Sequence, residues 1–162
     1  MSTMNDISLS TNEKNILNEK IEKKLSNEGY DGILVFGSSN LSYLSCGIIF
    51  PYMDQKLVQP VALYICFKTG KRLIACTNDL ADIPLQLNWD GDVVIYELNQ
   101  HSPESSIAAS LKNHVTGKVA IDENYMSAAQ LRELETSIDG LISLSGDQAF
   151  ADLKMIKTEA EI

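Results

Sequence analysis

The chain has 162 residues, 44% of them hydrophobic, which is enough for one domain with a sizeable core and too few for two. Asp and Glu outnumber Lys and Arg by 22 to 13, and the net charge of -9 argues against nucleic acid as a partner. No apolar run approaches the roughly 18 residues of a membrane-spanning helix, and residues 1–9 lack the features of a signal peptide. We therefore expect a cytoplasmic protein with no membrane partner.

The first predicted element is a helix that follows a polar tail. Residues 1–9 are expected to be a flexible tail. Ser10 and Glu13 have the spacing of a capping box, and apolar residues at helical spacing continue to Leu25. Gly29 is typical of a residue that ends a helix.

A strand and a short helix are predicted next. The apolar run at 33–36, closed by Gly37, is typical of a buried central strand. Ser39 or Asn40 can cap a short helix that contains Tyr43. The turn between strand and helix is a place where α/β proteins often put function, because free backbone N–H groups point outward there.

The loop at 47–60 is rich in apolar residues. It carries Phe50, Tyr52 and Met53 beside the acidic Asp54. A loop of this kind packs either against its own core or against another chain. We expect it to lie at a domain or subunit interface.

A hairpin and then alternating helices and strands are predicted for the rest of the chain. In order, they are strands at 61–67 and 72–76 around Thr69-Gly70, a helix from Thr77 or Asn78 to Leu87 interrupted at Pro84, a strand at 93–96, a helix begun by Ser102 and Pro103, a strand at 118–121, a helix begun by Ser127, a strand at 141–144 and a helix at 147–155. This alternation predicts a single α/β domain with a mixed, mostly parallel sheet, one antiparallel hairpin and helices on both faces.

The three cysteines are expected to be reduced. Their number is odd and no C-x-x-C pair occurs. A turn at Thr69-Gly70 would leave Cys66 and Cys76 about three residues, or ~10 Å, out of register, which is too far for a disulfide.

The last residues of the sequence have the pattern of a helix start, but too few residues follow to form the helix. Thr158 and Glu161 have the spacing of a second capping box, yet the sequence stops at Ile162. This pattern indicates a fragment that ends at a domain boundary, with the domain at 10–156 and the start of a linker helix at 157–162. A chance match in a ragged tail is the alternative.

No catalytic motif can be assembled from the sequence. His101 and His114 have no metal-ligand spacing with other residues. Neither a G-x-S-x-G elbow nor a G-x-G-x-x-G loop follows the first strand. Asp122 and the pair Asp90 and Asp92 are interpreted as turn residues.

Four stretches carry a family resemblance. They are Asp-Gly-Ile-Leu-Val at 31–35, Asn-Leu-Ser-Tyr-Leu-Ser-Cys-Gly at 40–47, Lys-Val-Ala-Ile-Asp at 118–122 and the closing Leu-Lys-Met-Ile-Lys-Thr-Glu-Ala-Glu-Ile at 153–162. Their order and spacing are similar to those of the N-terminal domain of the creatinase/prolidase family, the pita-bread metallohydrolases that include Xaa-Pro dipeptidases and aminopeptidase P. Cys46, which precedes Gly47, and Lys154, in place of an Arg, depart from the family pattern.

The resemblance implies both a fold and a place for catalysis. It implies a creatinase N-terminal domain with a ribonuclease-H-like architecture, which is not catalytic by itself and holds no cofactor. Its partner would be the protein's own C-terminal catalytic domain, where two Asp, one His and two Glu hold two divalent metal ions (Mn, Co or Zn). Those ions would activate water in an Xaa-Pro peptidase or a related amidinohydrolase. A homodimer is also implied.

Within such a protein the resemblance implies a role in dimerisation and in shaping the active-site entrance. The candidates for this entrance or interface are Asn40, Tyr43, Phe50, Tyr52, Met53 and Asp54. Asn40 and Tyr43 also have a structural interpretation, as a helix cap and as an aromatic ring packed on the sheet. Two other functions stay open: an interaction domain of a catalytically inactive relative, and a free-standing domain that binds a small molecule at the turn 37–40.

Overall fold

A computed structural model describes residues 10–50, 60–98 and 102–155. Several sequence predictions fall outside these ranges: the tail at 1–9, most of the apolar loop, His101 and the capping box near the end of the chain. Within the described ranges, no helix combines the length and the apolar character needed to cross a membrane.

The described residues contain six helices, and sequence capping signals mark where several of them begin. Ser10 and Ser127 each close a capping box, with Glu13 and Gln130 respectively. Ser102 caps a third helix, which begins with proline. The helices are α1 (Thr11–Asn27), α2 (Ser38–Leu44), α3 (Asp82–Gln86), α4 (Pro103–Leu111), α5 (Ala128–Ser137) and α6 (Asp147–Met155), with 3₁₀ turns at Asn78–Leu80 and Glu123–Tyr125.

The described strands form one six-stranded mixed sheet. They are β1 (Gly32–Val35), β2 (Ala62–Cys66), β3 (Arg72–Thr77), β4 (Asp92–Tyr96), β5 (Gly117–Ile121) and β6 (Leu141–Ser145). Their order across the sheet is β4-β3-β2-β1-β5-β6. β2 runs antiparallel to both of its neighbours, whereas the other three pairs are parallel. The predicted fold class is therefore confirmed.

Helices cover both faces of the sheet, as predicted. α1, α2 and α6 pack on one face, where they bury Leu25, Leu41 and Phe150. α4 and α5 pack on the other face, where they bury Leu111 and Leu134. β1 lies near the centre of the sheet and is buried along its whole length, which its uninterrupted apolar run predicts.

The register of the β2–β3 hairpin differs from the prediction. Leu63 pairs with Ile74, because the turn has four residues, 67–70, instead of two. This register puts Cys66 and Cys76 in separate core clusters, one on each face of the sheet. The expected absence of a bridge between them still follows, and all three cysteines are free.

The helix expected to continue to Leu87 is split in two. A 3₁₀ turn that directly follows Thr77 comes first, and the break falls at Ala81 instead of Pro84. Pro84 lies in the first turn of α3, where proline is tolerated because backbone N–H groups there have no partner within the helix.

Candidate functional site

Asp122 is the centre of a buried polar cluster where β1 and β5 end. These two strands are parallel neighbours, so the turn after β1 and the residue after β5 meet at the same edge of the sheet. The side chain of Asp122 is 0% exposed. It accepts hydrogen bonds from the backbone N–H of Phe36 at 2.9 Å and of Gly37 at 2.7 Å, and from the side-chain nitrogen of Asn40 at 3.4 Å.

The interpretation of Asp122 as a turn residue is therefore incomplete. Its backbone carbonyl does accept the N–H of Tyr125 in a 3₁₀ turn. Its side chain, however, takes the N–H groups of Phe36 and Gly37, which would otherwise face a ligand at the strand-to-helix turn. This removes the main support for a small-molecule site at 37–40.

Burial dominates the acidity of Asp122. Loss of solvent raises its pKa to about 6, although the hydrogen bonds from Gly37 and Phe36 lower it. Desolvation is the largest effect because the carboxyl group has no solvent-exposed surface. The carboxyl group therefore titrates within reach of neutral pH, far above the usual range of an aspartate.

Gly37 explains where α2 begins. It is the N-cap of α2, so the prediction that Ser39 or Asn40 fills this position is wrong. Asp122 holds the backbone of Gly37, and the helix starts earlier than the sequence predicts. A Cβ atom at Gly37 would lie 2.5 Å from the ring of Tyr125, so only glycine fits between the turn and that ring.

A chain of hydrogen bonds connects this cluster to α6. The ammonium group of Lys154 donates to Asn40 Oδ1 at 2.5 Å and to Ser39 Oγ at 2.9 Å. Asn40 is buried, and its nitrogen donates to Asp122. Asn40 therefore bridges the last turn of α6 and the buried carboxyl group, and has no capping role.

Tyr43 makes a second connection between α2 and α6. Its hydroxyl donates to the backbone carbonyl of Leu153 at 3.3 Å and accepts from Lys20 Nζ of α1 at 3.0 Å. The same ammonium lies 5.7 Å from the centroid of the Tyr43 ring, within the cation–π range. We call Asn40, Tyr43, Leu153 and Lys154 the α2–α6 contact.

The other predicted entrance residues are placed only in part. Phe50 is 3% exposed and belongs to the core cluster between the sheet and α1, α2 and α6. Tyr52, Met53 and Asp54 lie outside the described residues. The interface prediction for this loop stays a prediction.

His114 has a structural partner. Its Nδ1 lies 2.7 Å from the ammonium of Lys71. Burial, and then the positive charge of Lys71, lowers the pKa of His114, so a neutral ring accepts this hydrogen bond. Among the described residues, no group of three or more His, Cys, Asp and Glu side chains is arranged to hold a metal ion.

The described polar cluster has a structural role inside an α/β domain, because it joins the ends of β1 and β5 to α2 and α6. Residues 18–156 match the model of the creatinase/prolidase N-terminal domain. The chain belongs to this family, as the four sequence stretches predict.

Solved structures share the fold at low sequence identity. A prolidase from Thermococcus sibiricus has a TM-score of 0.69 at 19% identity, over 93% of this chain and 39% of its own. The N-terminal domain of the cytoplasmic peptidase PepQ from Mycobacterium tuberculosis has a TM-score of 0.61 at 17% identity, over 85% of this chain and 98% of its own. An Xaa-Pro dipeptidase from Bacillus anthracis has a TM-score of 0.64 at 15% identity over 91% of this chain, which spans 38% of that protein. None of the curated proteins matches the sequence significantly.

Proposed function

We propose that this chain is the non-catalytic N-terminal domain of a cytoplasmic metallohydrolase that acts on Xaa-Pro dipeptides or related substrates. The observation that carries the proposal is the family match over residues 18–156. The shared fold with prolidase and with the N-terminal domain of a cytoplasmic peptidase supports it, and the latter is the reason for placing the protein in the cytoplasm.

In this proposal a following domain supplies the metal centre. Two divalent ions, Mn, Co or Zn, would activate water there. The described part of this chain has no group of side chains that fits a metal ion. We therefore assign a positioning role to its own residues.

The α2–α6 contact supports a positioning role. α6 is the last described helix and ends at Met155. Its final turn is held by Asn40 through Lys154 and by Tyr43 through Leu153. A change in the direction of α6 would move whatever follows it, so this contact sets the angle at which a catalytic domain is carried.

The apolar loop supports a second role, at the active-site entrance. Phe50 anchors the start of the loop in the core. We assign the next residues, Tyr52, Met53 and Asp54, to the entrance or to the partner subunit of a homodimer. In a protein that extends beyond Ile162, Tyr52→Ala and Met53→Ser should raise the KM or weaken the dimer.

Those two substitutions have a control. Leu85→Ala changes an apolar residue of α3 that is exposed in the described structure, and it should alter neither quantity. The entrance assignment is wrong if all three variants behave as the parent does.

The test of the proposed function uses a longer protein that continues the reading frame beyond Ile162. We expect that extension to contain two Asp, one His and two Glu as metal ligands. We also expect it to confer metal-dependent cleavage of an Xaa-Pro dipeptide. An extension without these ligands would favour the interaction domain of an inactive relative, and an extension that has them but cleaves no such substrate would contradict the proposed substrate class.

A further inference from the structure

We infer that the cavity between β4, α4 and α5 binds a small organic cation that carries N–H donors, an alkylammonium or an alkylguanidinium. The cavity has a volume of about 560 Å³, which is within the usual range of small-molecule sites. α4 and α5 pack on the face of the sheet opposite to α2 and α6, so the cavity and the α2–α6 contact are separate features. This binding would add to the proposed function and does not depend on it.

On the side of α4, serine hydroxyl groups in the cavity wall have already used their protons. Ser106 donates to the carbonyl of Ser102 at 3.0 Å, and Ser110 donates to the carbonyl of Ile107 at 2.7 Å. A hydroxyl group has one proton and two lone pairs. Both side chains can therefore only accept a hydrogen bond from a ligand.

Glu133 takes the protons of two more serines in the wall. Ser105 of α4 donates to Glu133 Oε1 at 3.0 Å, and Ser137 of α5 donates to the same oxygen at 3.4 Å. These bonds hold the carboxylate between the two helices. A carboxylate can accept about four hydrogen bonds, so Glu133 has acceptor capacity left for a ligand.

The strand side of the cavity continues this pattern. Tyr96 lines it, and its hydroxyl donates to the carbonyl of Pro60. Glu97, next along the chain, contributes a second carboxylate. Ile95 of β4, which is 50% exposed, and Ala109 of α4 are apolar and complete the described lining. An alkyl chain can cover these two apolar side chains while its charged end contacts a carboxylate.

The chemistry of the lining selects the ligand. Each polar side chain among the described lining residues offers lone pairs, and none of those residues is Lys, Arg or His. The two carboxylates add negative charge, in a chain whose net charge is -9. Anions would be repelled, and a neutral acceptor would find no side-chain donor. A cation with N–H groups is complementary in both respects, because each N–H can donate to a carboxylate or hydroxyl oxygen.

NMR titration of the isotope-labelled 162-residue chain with matched probes measures this binding. n-Butylammonium and n-butylguanidinium are added separately. We expect saturable shifts of the Ser106, Ala109 and Ser137 amides, with a Kd of about 1 mM. n-Butyltrimethylammonium has the same charge and the same chain but no N–H group, and it should bind at least ~10-fold more weakly.

Substitutions locate the site. Glu133→Gln removes the charge that the ligand would contact and should weaken binding at least ~10-fold. Glu135→Gln changes the net charge equally on the same helix, but Glu135 bonds to Ser143 of β6 and is not among the described lining residues, so it should leave the Kd unchanged. Ala109→Leu fills the cavity from an exposed helix position and should also weaken binding, and amide spectra check that all three variants fold.

Several results would overturn the inference. If neither N–H probe gives a saturable shift up to about 20 mM, far above the expected Kd, the cavity is not a cation site. Equal binding of n-butyltrimethylammonium would show that charge alone attracts the cation. Equal effects of Glu133→Gln and Glu135→Gln, or binding that survives Ala109→Leu, would place the cation elsewhere on the surface. A longer protein without peptidase activity would contradict the proposed function and leave these titrations unaffected.

Discussion

Asp122→Ala should destabilise the domain far more than the loss of an ordinary surface carboxylate. The substitution leaves the N–H groups of Phe36 and Gly37 without their acceptor at a buried edge of the sheet. A buried donor that loses its partner costs about 1–3 kcal/mol. Because Phe36 is half-buried and Gly37 fully buried, we expect the free energy of unfolding to fall by about 2–4 kcal/mol. The total free energy of unfolding of a domain is only about 5–15 kcal/mol.

Urea denaturation followed by circular dichroism measures this loss. Asp90→Ala is the control, since Asp90 bonds to Arg72 at 2.8 Å but its side chain is 68% exposed. Surface ion pairs contribute about 0–1 kcal/mol, so this variant should stay close to the parent. Equal midpoints for the two variants would refute the assignment of Asp122 as the acceptor that holds the turn.

Three further predictions concern pH, packing and helix attachment. The pKa of Asp122 is raised to about 6 in the folded chain, so folding favours the protonated form. The free energy of unfolding, compared with that of Asp122→Asn, should therefore be greatest below about pH 4 and fall by about 3 kcal/mol as pH rises through 6. Urea titrations that give the same difference at every pH would contradict this. Gly37→Ala should lower the free energy of unfolding by about 1–3 kcal/mol because its Cβ meets the Tyr125 ring. Adding Tyr125→Ala should recover part of that loss. If the effects of the two substitutions in thermal melts simply add in the double variant, such a clash is excluded. Tyr43→Phe should speed hydrogen exchange in the last turn of α6, while Tyr30→Phe, whose hydroxyl bonds to β6, should not; identical exchange in both would show that Tyr43 does not hold α6.

Structural features that depend only on residues close together in the chain could be predicted from the sequence. Ser10 and Ser127 are each satisfied by groups three residues away, so the starts of α1 and α5 follow from local chemistry. The apolar run at 33–36 likewise predicts a buried strand without knowledge of its neighbours. The hairpin shows the limit, because the length of its turn decides the register and Thr69-Gly70 indicates a shorter turn than the one that forms.

The candidate site depends on contacts between distant parts of the chain. Asp122 meets Gly37 across 85 residues, and Lys154 meets Asn40 across 114. Only the parallel pairing of β1 with β5 and the packing of α6 on α2 bring these groups together. An aspartate after a strand is also common in turns, so the sequence around Asp122 carries no local sign of its buried role.

Calorimetric titration with Mn²⁺, Co²⁺ and Zn²⁺ tests the central claim most directly. It is performed on the 162-residue chain and on the protein extended beyond Ile162, and each is then assayed on Xaa-Pro dipeptides and creatine-like substrates. We predict that the 162-residue chain folds but neither binds a pair of metal ions nor turns over substrate, whereas the extended protein does both. Two metal ions bound to the 162-residue chain, with turnover, would contradict its assignment as a non-catalytic domain.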